Sequence, residues 1–330
     1  MERIVSGIRP TGHLHLGNYF GAVKNFIELQ NQHDCYFFIA DYHSLTTHPD
    51  SQDLQQRVRN IFVEYLATGL DPEKATLYVQ SDVPQVAELY LLLNMFAYKG
   101  ELERTASFKE KIRKQANNVN AGLLTYPVLM AADILIHKAS KVPVGKDQEQ
   151  HLEMTRNMAK RFNNFYGVEV FPEPMAYNFG NALVKVPGLD GSGKMGKSDN
   201  NGIYLIDDDK VIRKKVMRAV TDSGPTEKNQ EMSEPVKNIL ALMDLVSSSD
   251  AVAFYKQAYA DMSIRYGDMK KQLAEDMIAF ISPIRERILD LQKDTNRINK
   301  YLKLGAEKAQ DSATKTMKEV REIMHFVNSL

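Results

Sequence analysis

The sequence predicts an α/β fold, a doubly wound parallel sheet followed by an all-helical C-terminal region, on three observations. Short β-prone runs alternate with amphipathic helical stretches from residue 4 to about 206. The strand-to-helix joints carry Gly, Pro and polar residues, as parallel α/β units require. Beyond Ile206 the β signals stop and apolar residues recur only at helical spacing. The expected organisation is a Rossmann-like region over 1–206, with a polar insert at about 100–120, and a helical region over 207–330.

Composition narrows the function classes. Lys plus Arg number 42 and Asp plus Glu 42, so no net charge draws the chain to nucleic acid or membrane, and any RNA contact must come from a local basic face. The single cysteine, Cys35, permits neither an internal disulfide nor a Cys-rich zinc cluster. No apolar run approaches the roughly 18–20 residues that span a bilayer. Met1-Glu2-Arg3 leads straight into a strand, and a soluble cytoplasmic protein is expected. There is no tryptophan.

The elements follow in order. Ile4-Val5-Ser6-Gly7-Ile8 is the first strand, and Leu16, Phe20, Val23 and Ile27 make one helix stripe. Arg9-Pro10-Thr11-Gly12-His13-Leu14-His15-Leu16-Gly17-Asn18-Tyr19 is therefore a strand-to-helix turn, whose free N–H groups and positive helix end suit a phosphate. Cys35 to Ala40 is a buried strand ending in Asp41-Tyr42-His43-Ser44, at the strand end where open α/β sheets bind ligands. A helix through Leu54, Val58, Ile61, Phe62 and Tyr65 stops near Gly69 and Asp71-Pro72. Thr76 to Gln80 is the third strand, and Pro84 opens the next helix. The charged stretch from Gly100 to about Asn120 reads either as a solvated helix or loop, or as a mobile insert whose lysines face phosphate or RNA.

Gly122 to Ile136 is an apolar helix with one embedded carboxylate. Tyr126, Met130 and Asp133 share one face. A carboxylate among Ile, Leu and Met is costly unless something bonds to it. Either a partner within the fold does so, or Asp133 accepts an N–H or O–H from a flat apolar ligand flanked by the aromatic ring and the thioether. Val142-Pro143-Val144-Gly145-Lys146-Asp147-Gln148 repeats the strand–Gly–polar–helix pattern, and a further strand is expected at Ala182 to Val186. Asp207 to Val220 is an amphipathic helix with Arg213, Lys214, Lys215 and Arg218 on a basic face, either solvated or facing RNA. Further helices run to Leu330.

Two loops now stand together, His15-Leu16-Gly17-Asn18 and Lys194-Met195-Gly196-Lys197-Ser198. In this order they resemble the HIGH and KMSKS motifs of class I aminoacyl-tRNA synthetases. Pro10-Thr11-Gly12, Gly17 to Ala22, Gly100 to Arg104, Leu129 to Leu135, Val142 to His151 and Val220 to Ser223 sharpen the likeness to the tryptophanyl-tRNA synthetases, over residues from near 6 to about 223. The resemblance implies activation of L-tryptophan by ATP with Mg²⁺, release of pyrophosphate, and transfer to tRNA(Trp). It assigns His15, Asn18, Lys194 and Lys197 to catalysis. It places Arg9, Pro10, Thr11, Gly17, Gly145, Lys146, Asp147, Val184, Met195, Gly196 and Ser198 on the ATP side. Asp133, Tyr126, Met130, His43 and Gln148 become the tryptophan pocket. A homodimer, no protein-bound structural metal and no membrane are expected with it. Three positions depart from the family pattern: Gly196 replaces a serine, Val5 an aromatic, and Arg9 a frequent glutamine. The rivals are a tyrosyl-tRNA synthetase, a small-molecule adenylyltransferase, and a non-catalytic synthetase-like binding protein.

Overall fold

The structure is a computed structural model. It describes residues 1–114, 116–145, 148–177, 185–191, 193–196 and 200–326. Among the described residues five parallel strands, β1 Arg3–Ile8, β2 Asp34–Ile39, β3 Thr76–Val79, β4 Lys141–Val142 and β5 Met175–Ala176, form a sheet of order β3-β2-β1-β4-β5. The chain winds outward through β1, β2 and β3, then returns to add β4 on the other side of β1. That reversal between β1 and β4 opens a crevice at the strands' C-terminal ends, where such sheets take ligands.

The helices fall largely where periodicity places them. The first one is interrupted: Leu16–Asn18 (α1) passes through a five-residue π turn, Tyr19–Val23, into Lys24–Leu29 (α2). Single π turns of this kind recur at functional sites, and this one presents Gly21 and Ala22 to a cavity. Asp41–Ser44 (α3) follows β2, and Ser51–Thr68 (α4) is capped by the Asp50 carboxylate and ends at Gly69, φ 114°. Next come Gln85–Asn94 (α5), Lys99–Arg104 (α6), Ala106–Lys114 (α7), Ala121–Leu135 (α8) and Glu149–Tyr166 (α9). The polar insert is thus two short helices.

After these lie Asp209–Met217 (α10), Glu234–Val246 (α11), Ser249–Ala260 (α12), Tyr266–Lys293 (α13) and Thr295–Ile323 (α14). Thr221 to Pro225, between α10 and α11, belong to no helix or strand. There Asp222 accepts bonds from the Gly224 N–H and from the Ser233 and Tyr266 hydroxyls.

The strand expected at Ala182 to Val186 falls mostly outside the described residues. Residues 182–184 lie outside the described residues, and Lys185 and Val186 belong to no strand. The fifth strand is Met175–Ala176, between Pro residues 172 and 174 and the 178–184 stretch. Two residues paired to β4 are too few for a β-propensity signal.

Two apolar cores lie on the two faces of the sheet. One joins Ile4, Phe37 and Leu77 to Met277 and Ile281 of α13, and the other joins Val5, Phe38 and Tyr78 to Ala309, Ala313 and Met317 of α14. α14 also lies against the edge strand β3. A Cβ built on Gly305 would stand 1.7 Å from the Leu77 carbonyl oxygen, so only glycine permits this approach. Gly305→Ala should gain about 1 kcal/mol in helix propensity. It should lose more by forcing α14 off β3, for a net destabilisation of about 1–3 kcal/mol in denaturant unfolding.

Candidate active site

The turn after β1 is built as a reciprocal cap. The Asn18 N–H donates to His15 Nδ1 at 3.2 Å, and the His15 N–H donates to Asn18 Oδ1 at 3.2 Å. With Nδ1 accepting, the neutral imidazole carries its hydrogen on Nε2. The Asn18 side-chain NH₂ remains a donor at the helix entrance. A Cβ on Gly17 would meet the His15 ring at 2.8 Å, so glycine lets the imidazole fold over the turn.

This turn is paired to the segment following the lysine loop. Leu16 N–H donates to Ile203 O and Leu205 N–H to Leu14 O, each at 2.9 Å, an antiparallel bridge centred on His15 and Tyr204. Their rings meet edge to face at 6.2 Å. In the lysine loop Met195 is buried, and its N–H donates to Val186 O at 2.8 Å. Asn201 closes the loop's base: its Oδ1 accepts the Gly196 N–H at 2.8 Å, and its Nδ2 donates to the Lys194 carbonyl at 3.2 Å and to Asp190 at 3.0 Å. Lys194 itself is exposed. Lys146, Asp147, Val184, Lys197 and Ser198 lie outside the described residues.

The crevice between β1 and β4 holds a cavity of about 300 Å³. Val5, Gly7 and Arg9 of the first strand and turn line it, with Pro143, Val144 and Gly145 beyond β4, and Gly21 and Ala22 of the π turn. His43, Tyr126, Met130, Asp133 and Gln148 also line it, so the structure gathers the whole sequence-expected pocket set into one cavity. Pro10 is buried beside it and Thr11 is exposed.

Asp133 is 2% exposed. Its Oδ2 lies 2.8 Å from His43 Nε2, and its Oδ1 accepts from Gln80 Nε2 at 2.7 Å. Burial raises its pKa, and the His43 and Gln80 bonds pull against that rise. Each carboxylate oxygen keeps a second lone pair, so the fold orients the acid without exhausting its capacity. The His43 ring lies 4.4 Å from that of Tyr126, centroid to centroid.

Four partners were not picked out from the sequence. Gln80 ends the third strand, on the ligand side of the sheet, which was the available signal. His151 appears only inside a longer motif. Its Nδ1 is 2.9 Å from Gln148 Oε1 and its Nε2 2.7 Å from Ser107 Oγ, so α7 and α9 together orient Gln148. Lys111 was one lysine in a charged run. It is now half-buried, its Nζ 3.5 Å from the centroid of the Tyr126 ring. Burial lowers its pKa to about 8, with the nearby Arg9 charge adding and Glu110 opposing. Half of the basic face of α10 is occupied: Arg213 makes two bonds to Glu275, and Lys215 bonds Asp207 and the Gly202 carbonyl, while Lys214 and Arg218 are exposed.

The comparisons with known proteins fit this geometry. Residues 1–282 match the family model of class I tRNA synthetases (W and Y). The chain is 61% identical over 326 residues to the tryptophan–tRNA ligase of Porphyromonas gingivalis, covering 99% of this chain and 100% of that one. It is 44% identical over 332 residues to that of Fusobacterium nucleatum, covering both chains completely. It superposes on the tryptophanyl-tRNA synthetase of Campylobacter jejuni complexed with ADP and tryptophan, with TM-score 0.86 and 35% identity, over 98% of this chain and 100% of that one. With the first signature turn bonded to the segment that follows the second, and with a family model and relatives that match the chain, this chain belongs to the class I tRNA synthetases of the tryptophan and tyrosine group.

Proposed function

We propose that this chain is a tryptophan–tRNA ligase. It joins L-tryptophan to AMP at the expense of ATP, releases pyrophosphate, and transfers the acyl group to tRNA(Trp). The observation that carries the reading is Asp133, an oriented acceptor in the wall of an apolar cavity beside Tyr126 and Met130. Indole N–H is a donor only, and a fixed acceptor in a desolvated wall reads it strongly. The tyrosine reading is not favoured, because the full-length relatives at 61% and 44% identity are named tryptophan–tRNA ligases.

The first step is an in-line attack by the tryptophan carboxylate on the α-phosphorus of ATP. A carboxylate nucleophile needs no general base, so alignment and charge stabilisation supply the catalysis. His15 and Asn18 donate to phosphate oxygens from the turn. Gly17 lets the nucleotide approach the backbone. Lys194 and Lys197 supply cations from the opposite loop, and Arg9, Pro10, Thr11, Met195, Gly196 and Ser198 complete the phosphate side. Gly145, Lys146, Asp147 and Val184 take the ribose and adenine. Lys111, above Tyr126 and near Arg9, is a further cation for the triphosphate. Mg²⁺ enters with ATP as part of the substrate. Residues 1–206 carry activation and 207–330 take the anticodon side of the tRNA.

A second copy of this chain is the proposed partner at one face. Leu91, Met95, Tyr98 and Phe165 are all more than half exposed. Phe96 joins α5 to α9 by ring contact with Phe165 at 5.9 Å, making one apolar patch of the kind that marks an interface. Met95→Glu should turn a dimer into a monomer in sedimentation. A parent chain that sediments as a monomer removes the assignment.

Because the chain contains no tryptophan, emission from bound ligand reads pocket occupancy directly. Asp133→Ala should weaken tryptophan binding about 10–100-fold, the loss of one hydrogen bond to a charged group. An unchanged affinity, or pyrophosphate exchange that prefers tyrosine, would overturn the reading. Lys111 holds its charge below about pH 8 and loses it above. The KM for ATP should therefore rise as pH climbs through about 8. Lys111→Arg should flatten that rise.

A further inference from the structure

Glu64 is a fully buried carboxylate that the reaction just described does not use. It sits on α4 between the apolar Val63 and Tyr65, and no motif marks it. Its two oxygens go to the nucleotide turn. Oε2 accepts the Leu14 N–H at 2.7 Å, and Oε1 lies 2.5 Å from His13 Nδ1. Leu14 is itself fully buried, and its carbonyl accepts from Leu205. Both backbone groups of the residue before His15 are thus fixed, one by Glu64 and one by the segment after the lysine loop.

A buried N–H needs an acceptor, but it does not need an ion. A single hydroxyl would satisfy Leu14 with far less desolvation. What a carboxylate adds is a second oxygen, held in a fixed relation to the first. Gripping Leu14 and His13 together prevents the turn from rotating about one bond. The support is itself anchored, since Arg287 of α13 donates to the Ala67 carbonyl at the end of α4 at 2.7 Å. The far ring nitrogen of His13 faces Asn60, at 3.5 Å, on the same helix. His13 therefore links α4 to the turn.

We propose that Glu64 is a positioning residue for the ATP half of the reaction, setting where His15 and Asn18 present their donors by holding His13 and Leu14. The inference rests on the tryptophan–tRNA ligase reading. It separates Glu64 from the pocket residues, because Glu64 belongs to the turn and does not line the cavity that holds Asp133.

The test measures ATP–pyrophosphate exchange kinetics together with tryptophan affinity, read from the ligand's own fluorescence. Glu64→Ala should lower kcat about 10–100-fold and raise the KM for ATP, the scale expected when reacting groups are misplaced. Tryptophan affinity should stay at the parental value. Glu64→Gln keeps an acceptor for Leu14 and an amide for His13, and should restore most of the rate. His13→Ala, at a half-exposed site, should show a smaller loss on the ATP side alone. Two results overturn the proposal: parental ATP kinetics in Glu64→Ala, or tryptophan affinity falling in step with exchange, which marks a merely structural carboxylate. If Glu64→Ala does not fold, His13→Ala decides, and parental ATP kinetics there overturn it. A parent chain that supports no exchange defeats the ligase reading instead, independently of Glu64.

Discussion

Two backbone hydrogen bonds, Leu16 to Ile203 and Leu205 to Leu14, are the constraint on which the site depends. They bring together two loops that lie far apart in the chain. The entropy of closing so long a loop grows only with the logarithm of its length, but two bonds of about 1 kcal/mol net each do not offset it alone. The surrounding core does the rest. Leu14, Leu16, Ile203 and Leu205 are all fully buried, and Met195 packs beneath them. Breaking the bridge would leave buried N–H and C=O groups without partners, at a cost above that of the bonds themselves. The turn and the lysine loop are thereby one structure with a common floor.

The second determinant is how the sheet order distributes the cost of burying Asp133. An isolated carboxylate in this wall would not stay charged. His43 stands just beyond β2, Gln80 just beyond β3, and Asp133 on α8. Because β2 and β3 are adjacent and parallel, their C-terminal ends deliver both donors to one point. His43 and Gln80 each bond a different oxygen, which fixes the carboxylate's rotation and opposes the rise that burial imposes on its pKa. The family pattern points to Asp133, and topology supplies what makes it usable.

This contrast explains what was legible in the sequence. The first three strands, the apolar α8 and the signature turn announce themselves because each is a local pattern: alternation, helical spacing, or a Gly-Pro turn. The pocket residues Tyr126, Met130 and Asp133 share a helix face, so their grouping needs only periodicity. Gln80, Ser107 and His151 were not legible as a group, because their roles come from the Gln80–Asp133 and Ser107–His151 pairings, each across more than 40 residues. Lys111 gave no local cue that it would lie over Tyr126 instead of in solvent. The π turn was hidden because Leu16, Phe20 and Val23 fit an α stripe equally well. β5 was missed because backbone pairing to β4, not side-chain character, defines it. On α10 the reverse occurred. Of a basic stripe that could be solvated or face RNA, Arg213 and Lys215 are committed to Glu275, Asp207 and a carbonyl, while Lys214 and Arg218 are exposed.

The helical region is joined to the sheet by polar contacts as well as by packing, and the chemistry of His137 shows why the junction can be buried. Burial pushes its pKa down to about 3, so the imidazole stays neutral at any pH where the protein works. A neutral ring offers one donor and one acceptor, enough to join two hydroxyls without burying an ion. Tyr78 of β3 lies 2.9 Å from one nitrogen and Ser312 of α14 lies 3.1 Å from the other. Tyr36 of β2 stacks on the ring at 4.4 Å, and Arg3 donates to the His137 carbonyl at 2.8 Å. The last long helix is thus bonded to the strand whose end carries Gln80. Gln80 fixes Asp133, so the proposed ligand-reading geometry is supported from the far end of the chain. α14 holds the sheet edge in register, whatever else the helical region binds.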